Sequence, residues 1–273
     1  MMRFISLASG SSGNCYYLAT SDTAILIDAG IGSRTIKKRF KELELDFSSL
    51  AAILVTHDHV DHIKAVGTLG EKLHIPVFST KEVHNGISRS YCMTEKLKTS
   101  ARYIEKEVPF SVGNFRITAF GVPHDSHDNV GYFIESGNCK FCLVTDVGHI
   151  TETIASYLLR AEYLVLESNY DETMLRMGPY PAYLKERIAG LDGHLSNREA
   201  ATFLAENYSP YWKYIWLCHL SKDNNHPELA YKTVEMRLAE VGVKVGEELQ
   251  VIPLRRSLPT GMFYLNRDEE EKI

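Results

Sequence analysis

The sequence predicts an α/β protein of two similar halves, each a β-sheet covered by helices, packed sheet against sheet in four layers. Three observations lead there. Short apolar runs rich in β-branched and aromatic residues recur along the whole chain, bounded by Gly, Asn, Asp or Ser. Segments with helical spacing of apolar residues alternate with them. One strand and its turn also occur twice. Thr23-Ala24-Ile25-Leu26-Ile27-Asp28-Ala29-Gly30 is echoed by Lys140-Phe141-Cys142-Leu143-Val144-Thr145-Asp146-Val147-Gly148, each an apolar strand ending in Asp, one residue, then Gly. Each copy follows an earlier strand through a polar turn and precedes a helical segment and a further apolar strand.

Strands are expected at Phe4–Ala8, Cys15–Ala19, Thr23–Asp28, Leu50–Thr56, Pro76–Ser79, Asn114–Phe120, Val130–Glu135, Phe141–Asp146, Tyr163–Glu167, Tyr214–His219 and Gln250–Leu254. Helices are expected at Ile63–Leu73, where Ile63, Val66 and Leu69 stand three apart, and at Thr151–Arg160, Ala182–Ile188, Asn197–Asn207 and Pro227–Val241. Ser196 with Glu199 three residues on reads as a capping box at a helix start. The 273 residues, 44% hydrophobic and 24% charged, contain no Pro/Gly/Ser-rich linker. One domain over residues 1–273 is therefore expected, with residues 266–273 as a charged, frayed tail.

The net charge of -5 leaves no global basic footprint for nucleic acid. Bound divalent cations would offset much of it, and local basic patches remain compatible. No window approaches the ~18 apolar residues of a membrane span, and Met1–Ala8 reads as a strand rather than a signal peptide. The five cysteines are odd in number. Cys139 and Cys142 form a C-x-x-C with no second pair to complete a zinc site, so buried free thiols in a reducing cytoplasm are expected.

The chemistry concentrates at one strand end. Leu50–Val55 is almost continuously apolar, as in a strand buried on both faces. It ends at Thr56, and His57-Asp58-His59-Val60-Asp61-His62 follows. In an extended loop His57, His59 and Asp61 share one side, and His62, opening the next helix, can point into the same space. Imidazole and carboxylate suit zinc, manganese and iron. A structural metal or a solvated polar loop are the alternatives. So dense a set of ligands at the end of a buried strand favours a metal centre.

His57-x-His59-x-Asp61-His62 resembles the H-x-H-x-D-H signature of the metallo-β-lactamase superfamily. Asp28, His124, Asp146 and His219 match its other motifs in order, and the match runs from residue 4 to about residue 254. The resemblance implies the four-layer αββα sandwich of that superfamily. Leu7-Ala8-Ser9-Gly10-Ser11-Ser12-Gly13-Asn14, Asn169-Tyr170-Asp171, Gly178-Pro179-Tyr180-Pro181, Gly193-His194-Leu195-Ser196-Asn197 and His219-Leu220-Ser221-Lys222-Asp223-Asn224-Asn225 are similar to the YycJ/WalJ-type branch of bacterial phosphodiesterases or DNA 5′ exonucleases. The pair His194 and His219-x-Ser221 is also similar to that of the tRNA 3′-processing endonucleases. No large domain is inserted between Asp146 and His219, which speaks against processing of long RNA.

Carried over by residue, the resemblance implies one metal on His57, His59 and His124, and a second on Asp61, His62 and His219. Asp146 bridges them, and Asp28 orients a ligand by hydrogen bonding. Two divalent ions, zinc or manganese with iron also suited, would sit roughly 3.5–4 Å apart and share a water of pKa about 7 as nucleophile. His127 rivals His124 within Pro123-His124-Asp125-Ser126-His127-Asp128. His194 reads as a general acid or phosphate-binding group, or as a loop residue beside the Ser196 cap. Ser11 and Asn14 are candidate phosphate contacts, the Gly/Ser turn being the alternative. Tyr180 and Tyr183 near Lys185 and Arg187 could stack on a base or simply form an amphipathic helix. His74, His84, His149 and His226 read as surface or structural residues.

The expected activity is that of a dinuclear phosphodiesterase or nuclease acting on DNA or nucleotides. Thioester or lactam hydrolysis is the alternative on the same metal site. A redox role fits less well, since His59 stands where the di-iron reductases carry Glu. A purely binding role fits less well too, since every ligand position is filled.

Overall fold

The structure, a computed structural model, describes residues 1–265; the charged tail expected at 266–273 lies outside the described residues. The first half runs β1 (Met2–Ala8), β2 (Cys15–Ala19), β3 (Ala24–Ile27), α1 (Ser33–Glu42), β4 (Leu50–Leu54), α2 (Val60–Ile63), β5 (Val77–Ser79), α3 (Lys81–Arg89) and β6 (Ala101–Tyr103). The second half runs β7 (Phe110–Val112), β8 (Phe115–Gly121), β9 (Val130–Ser136), β10 (Cys139–Val144), α4 (Glu152–Arg160), β11 (Tyr163–Glu167), α5 (Glu172–Met177), α6 (Ala182–Ile188), α7 (Asn197–Glu206), β12 (Tyr214–Cys218), α8 (Pro227–Glu240) and β13 (Gln250–Pro253). A last strand, β14 (Phe263–Leu265), returns to pair with β1.

These strands make two seven-stranded sheets, ordered β14-β1-β2-β3-β4-β5-β6 and β13-β12-β11-β10-β9-β8-β7. In the first, β1–β3 pair antiparallel and β3–β6 parallel. In the second, β8–β10 pair antiparallel and β10–β13 parallel. The echoed strands β3 and β10 thus hold the same place, where antiparallel pairing gives way to parallel. Even the backbone repeats, since Asp28 and Asp146 sit just past these strands at φ 58° and 50°. That left-handed conformation is uncommon for a residue with a side chain and marks positions held by their surroundings.

Three apolar layers bind the sandwich. One lies between the sheets and draws on both halves, with Phe4, Tyr16 and Leu54 from the first and Phe141, Val165 and Trp216 from the second. Ile36 and Phe40 of α1 and Val83 and Ile87 of α3 pack on the outside of the first sheet. Ile154, Leu158, Leu204, Val234 and Leu238 from α4, α7 and α8 cover the second. β3 and β11 are buried along their whole length, which is why they read as unbroken apolar runs. Ser196 and Glu199 form the expected capping box on α7, worth about 0.5–2 kcal/mol through the cap alone.

One expected helix is different. In place of Ile63–Leu73 the chain makes short α2 and then a wide π-type turn over Thr68–Lys72, so His62 lies inside a helix rather than before one. The neighbouring chain comes close here: a Cβ on Gly67 would lie 2.3 Å from the Glu95 carbonyl oxygen, and one on Gly70 2.8 Å from Val77. Strands β6, β7 and β14 and helices α3 and α5 were not expected, and α1 gives bounds to the helical segment the echo implied.

Candidate metal centre

The site lies where β3, β4, β10, β11 and β12 end, at one rim of the sandwich. Asp28 organises its first side. Fully buried, it accepts from the Thr56 amide (2.8 Å), the Thr56 hydroxyl (2.9 Å) and His62 Nδ1 (2.7 Å). Burial raises the Asp28 pKa, opposed by His62 and Thr56. The Thr56 hydroxyl, its hydrogen given to Asp28, accepts from His57 Nδ1 at 3.0 Å. His124 Nδ1 donates to the Gly193 carbonyl at 2.9 Å. Each imidazole is thereby pinned through Nδ1 with Nε2 turned inward, the tautomer a metal ligand requires.

Two sets of ligand atoms converge. His57, His59, His124 and Asp146 bring one atom each within 4.8 Å of one another, and Asp61, His62 and His219 do the same. Asp146 stands between them. Its Oδ2 lies 3.7 Å from both His57 Nε2 and His124 Nε2, and its Oδ1 lies 3.4 Å from both His62 Nε2 and His219 Nδ1. His59 Nδ1 is 3.3 Å from His124 Nε2, and Asp61 Oδ2 is 3.4 Å from His219 Nε2. Burial, joined by the neighbouring imidazoles, pushes His57 well below its usual pKa, and burial lowers His124. Burial works against the Asp146 carboxylate, yet His219, His62 and His57 hold its pKa well below the ordinary value.

The fit to metal rests on two orphans. Nε2 of His57 and of His219 are buried without a hydrogen-bond partner. Leaving such atoms unpaired costs about 1–3 kcal/mol each, and both point into these clusters. Imidazole nitrogens beside carboxylates, with His57 and His124 held toward the neutral form by burial, are a donor set for a divalent cation.

Of the two histidines in Pro123–Asp128, His124 joins the cluster. His127 is 47% exposed in its side chain and pairs instead with Asp58 at 2.7 Å. Ser11 lines the cleft beside these side chains, a space of about 420 Å³ also bounded by Asp61, Tyr180, Leu184, Arg187 and His194. Asn14 does not reach it. Fully buried, Asn14 accepts from the Gly10 amide (2.8 Å), its backbone N–H donates to the Asp61 carbonyl (2.7 Å), and its side-chain nitrogen lies 2.9 Å from His62 Nε2. It therefore corrects one expectation, being a strut of the Asp61-His62 turn rather than a phosphate contact. Tyr183 is 72% exposed and does not line the cleft, and Lys185 donates to the Arg176 carbonyl. Among the remaining histidines, His226 caps α8, His84 and His149 bond backbone carbonyls, and His74 occupies a turn at φ 57°.

The sequence reading missed Glu167. It closes β11, fully buried, and its Oε1 accepts from Nδ1 of both His194 and His219 at 2.9 Å. Its Oε2 accepts from the amides of Val147 (2.7 Å) and Leu195 (3.2 Å). The signal was present, since Tyr163-Leu164-Val165-Leu166-Glu167 is an apolar strand ending in an acid, like those ending at Asp28 and Asp146. Burial disfavours protonated His194, but Glu167 outweighs it and holds the His194 pKa above its usual value. Asn169, also missed, donates to the His219 carbonyl at 2.8 Å and supports that ligand from below.

Known proteins are similar to this chain over most of its length. Residues 23–210 match the family described as the β-lactamase superfamily domain. The chain is 36% identical over 270 residues to the exodeoxyribonuclease YycJ of Bacillus anthracis, covering 97% of this chain and 99% of that protein. It is 34% identical over 245 residues to the exodeoxyribonuclease WalJ of Streptococcus pneumoniae, covering 90% and 91%. The solved metallo-β-lactamase fold protein YhfI of Bacillus subtilis superimposes with a TM-score of 0.68 at 17% identity, covering 95% of this chain and 98% of that one, a likeness of fold alone. Such identity over nearly the full length of both relatives, on this sandwich and this cluster, means that the chain belongs to the metallo-β-lactamase superfamily, in its YycJ/WalJ-type branch.

Proposed function

We propose that this chain is a metal-dependent phosphodiesterase that degrades DNA from an end, as the names of its YycJ and WalJ relatives state for those proteins. The observation that carries the reading is Asp146 between two ligand sets, with the Glu167-bound imidazole of His194 on the cleft beside them. His57, His59 and His124 would hold one divalent ion and Asp61, His62 and His219 the other, with Asp146 shared; zinc or manganese suits them. Bound there, the ions supply Lewis acidity at the scissile phosphate and lower the pKa of water.

The rest is work for the chain's own groups. Asp28, Thr56 and the Gly193 carbonyl fix imidazole tautomers and so the direction of each ligand atom. Asp61, 23% exposed in its side chain, faces the cleft and is placed to take a proton from attacking water. His194 donates its Nδ1 hydrogen to Glu167, and its raised pKa favours a second proton on Nε2. That proton serves the departing sugar oxygen, a contribution typically of about 10²–10⁴-fold. The shared inter-sheet core supports a single domain. The free, buried Cys15, Cys139, Cys142 and Cys218 support a reducing compartment. Among the described residues no helix is long and apolar enough to cross a membrane.

The test is digestion of end-labelled single- and double-stranded DNA and RNA with manganese or zinc, alongside a thioester and a chromogenic β-lactam, with elemental analysis of the same protein. Progressive loss of nucleotides from one end of DNA, with about two ions per chain, is expected. Turnover of the thioester or lactam without phosphodiester cleavage would overturn the reading.

A further inference from the structure

The mouth of the cleft is electrically lopsided. On the wall formed by the segment after β8, cations are already matched, Arg187 with Asp125 and Lys106 with Asp128. The opposite wall is built from the turn after β1, the segment after β12 and the chain after β13. Ser11 and Ser221 line the cleft there. Behind them Arg256 accepts the Ser9 amide on its carbonyl (3.3 Å) and donates Nη1 to the Ser221 carbonyl (3.2 Å). Its side chain crosses Gly10 so closely that a Cβ there would lie 2.9 Å away.

Helix α1 joins the same wall. Arg39 donates to the Leu7 carbonyl and, at 2.7 Å, to the Ser257 carbonyl. The helix starts just after Gly30, whose amide donates to the Asn14 carbonyl at 2.8 Å, so its first turn, with Arg34, begins beside the cleft loop. α1 carries Arg34, Lys37, Lys38, Arg39 and Lys41 against one acid, Glu42, which takes Lys38 at 3.5 Å. Arg34, Lys222 and Arg255 are exposed. Among the described residues, none of these three nor Arg256 is ion-paired with a carboxylate. Of the acids named on this wall, Glu42 takes Lys38 and Asp223 accepts from the Tyr180 hydroxyl at 2.9 Å. A cluster of unmatched cations stands out in a chain of net charge -5.

From this we infer that the wall is a track for a single polynucleotide strand: the phosphates beyond the scissile bond cross the Gly10–Gly13 turn, met by Arg256, Lys222, Arg255 and Arg34. The inference rests on the nuclease reading of the cleft and adds the path of the strand to it. A cleft of about 420 Å³ roofed by α6 has room for a nucleotide or so but not for a duplex. The remaining phosphates must therefore lie outside it. On the other wall Arg187 and Lys106 are already paired with Asp125 and Asp128, whereas cations on this wall release counterions when they bind.

The test compares Arg34→Gln/Lys222→Gln/Arg255→Gln with a control, Lys81→Gln/Lys96→Gln/Lys140→Gln, which removes equal charge from exposed sites on other faces. Binding of a labelled single-stranded phosphorothioate oligodeoxynucleotide to the protein as purified is followed by anisotropy across a salt series. Three lost phosphate contacts at about 0.7 each lower the slope of log K against log salt by about 2. Affinity at low salt should fall by at least about tenfold, and oligonucleotide turnover should fall relative to bis-p-nitrophenyl phosphate. The control should keep the wild-type slope. Equal losses in both triples, an unchanged slope in the first, or no binding by wild type would each overturn the track. Binding as described without hydrolysis of any phosphodiester would leave the track standing and overturn the nuclease reading instead.

Discussion

Glu167→Gln separates structure from chemistry at this site most cleanly. The substitution keeps volume and removes charge. Glu167 now serves five donors, the Nδ1 atoms of His194 and His219, the Asn169 side-chain amide and the backbone amides of Val147 and Leu195. A glutamine offers one accepting oxygen and one donating NH₂, so in either orientation at least two of the five donors face another donor. At about 1–3 kcal/mol per buried group left unpaired, the fold should lose about 2–6 kcal/mol. The consequence for His194 is larger in activity. Burial disfavours its charged form and Glu167 favours it, so without the carboxylate its pKa falls and the protonated fraction shrinks.

The signs are fixed by the two partners. A raised His194 pKa contributes stability that is full below the ordinary imidazole value and lost as pH rises through the raised one. The lowered Glu167 pKa, held down by His194 and His219 against burial, contributes stability lost as pH falls through it. The stability gap to wild type is therefore widest between those two pKa values. The assay is turnover of a DNA oligonucleotide and of bis-p-nitrophenyl phosphate across pH, with urea melts and metal content measured on the same samples. Loss of about 10²–10⁴-fold is expected on DNA, with the alkaline limb moved to lower pH. The loss on bis-p-nitrophenyl phosphate should be much smaller, because p-nitrophenolate departs without a proton. A wild-type alkaline limb at intact metal content would refute the reasoning.

Four further outcomes follow from the structure. His194→Ala should lose far more rate on DNA than on bis-p-nitrophenyl phosphate with metal content unchanged; equal losses would make it a phosphate-binding group, and loss of metal a ligand. Asp61→Ala should abolish hydrolysis and weaken one ion selectively while the fold stays near intact. Asp28→Ala should instead cost several kcal/mol in denaturant melts, at about 1–3 for each of the three buried donors it deserts at Thr56 and His62; a greater loss of metal in Asp28→Ala than in Asp61→Ala would reverse their roles. Glu71 accepts from the amides of Lys98 and Thr99 and the hydroxyls of Thr99 and Ser100, and the Lys98 amide above all draws its pKa from 4.5 to about 2. The Tm gap between wild type and Glu71→Gln should hold above pH 4.5 and close as pH falls toward 2, since the advantage vanishes once the carboxylate protonates; a gap independent of pH in that range would exclude the ionised acceptor.

Legibility followed burial and local spacing. The central strands β3, β4, β10, β11 and β12 announce themselves because burial on both faces demands apolar residues at every position. The strands that escaped notice, β6, β7 and β14, are three-residue edges with exposed positions, too short to show a period. Helix α1 escaped for another reason. Its apolar stripe is reduced to Ile36 and Phe40 among five basic residues, of which Arg34 joins the proposed strand track.

By itself, then, the sequence determined the duplicated sandwich and the candidate metal-binding run at 57–62 and, through the resemblance, nominated His124, Asp146 and His219 as distant candidate ligands. Local order was enough where the ligands are neighbours in the chain or end an apolar strand. Only the tertiary structure sent His127 to Asp58, packed Asn14 against the Asp61-His62 turn and brought Glu167 against His194. Those decisions depend on hydrogen bonds and charges between segments tens to hundreds of residues apart. A histidine or an acid at a strand end has the same local pattern whichever partner waits across the rim, and only folding supplies the partner.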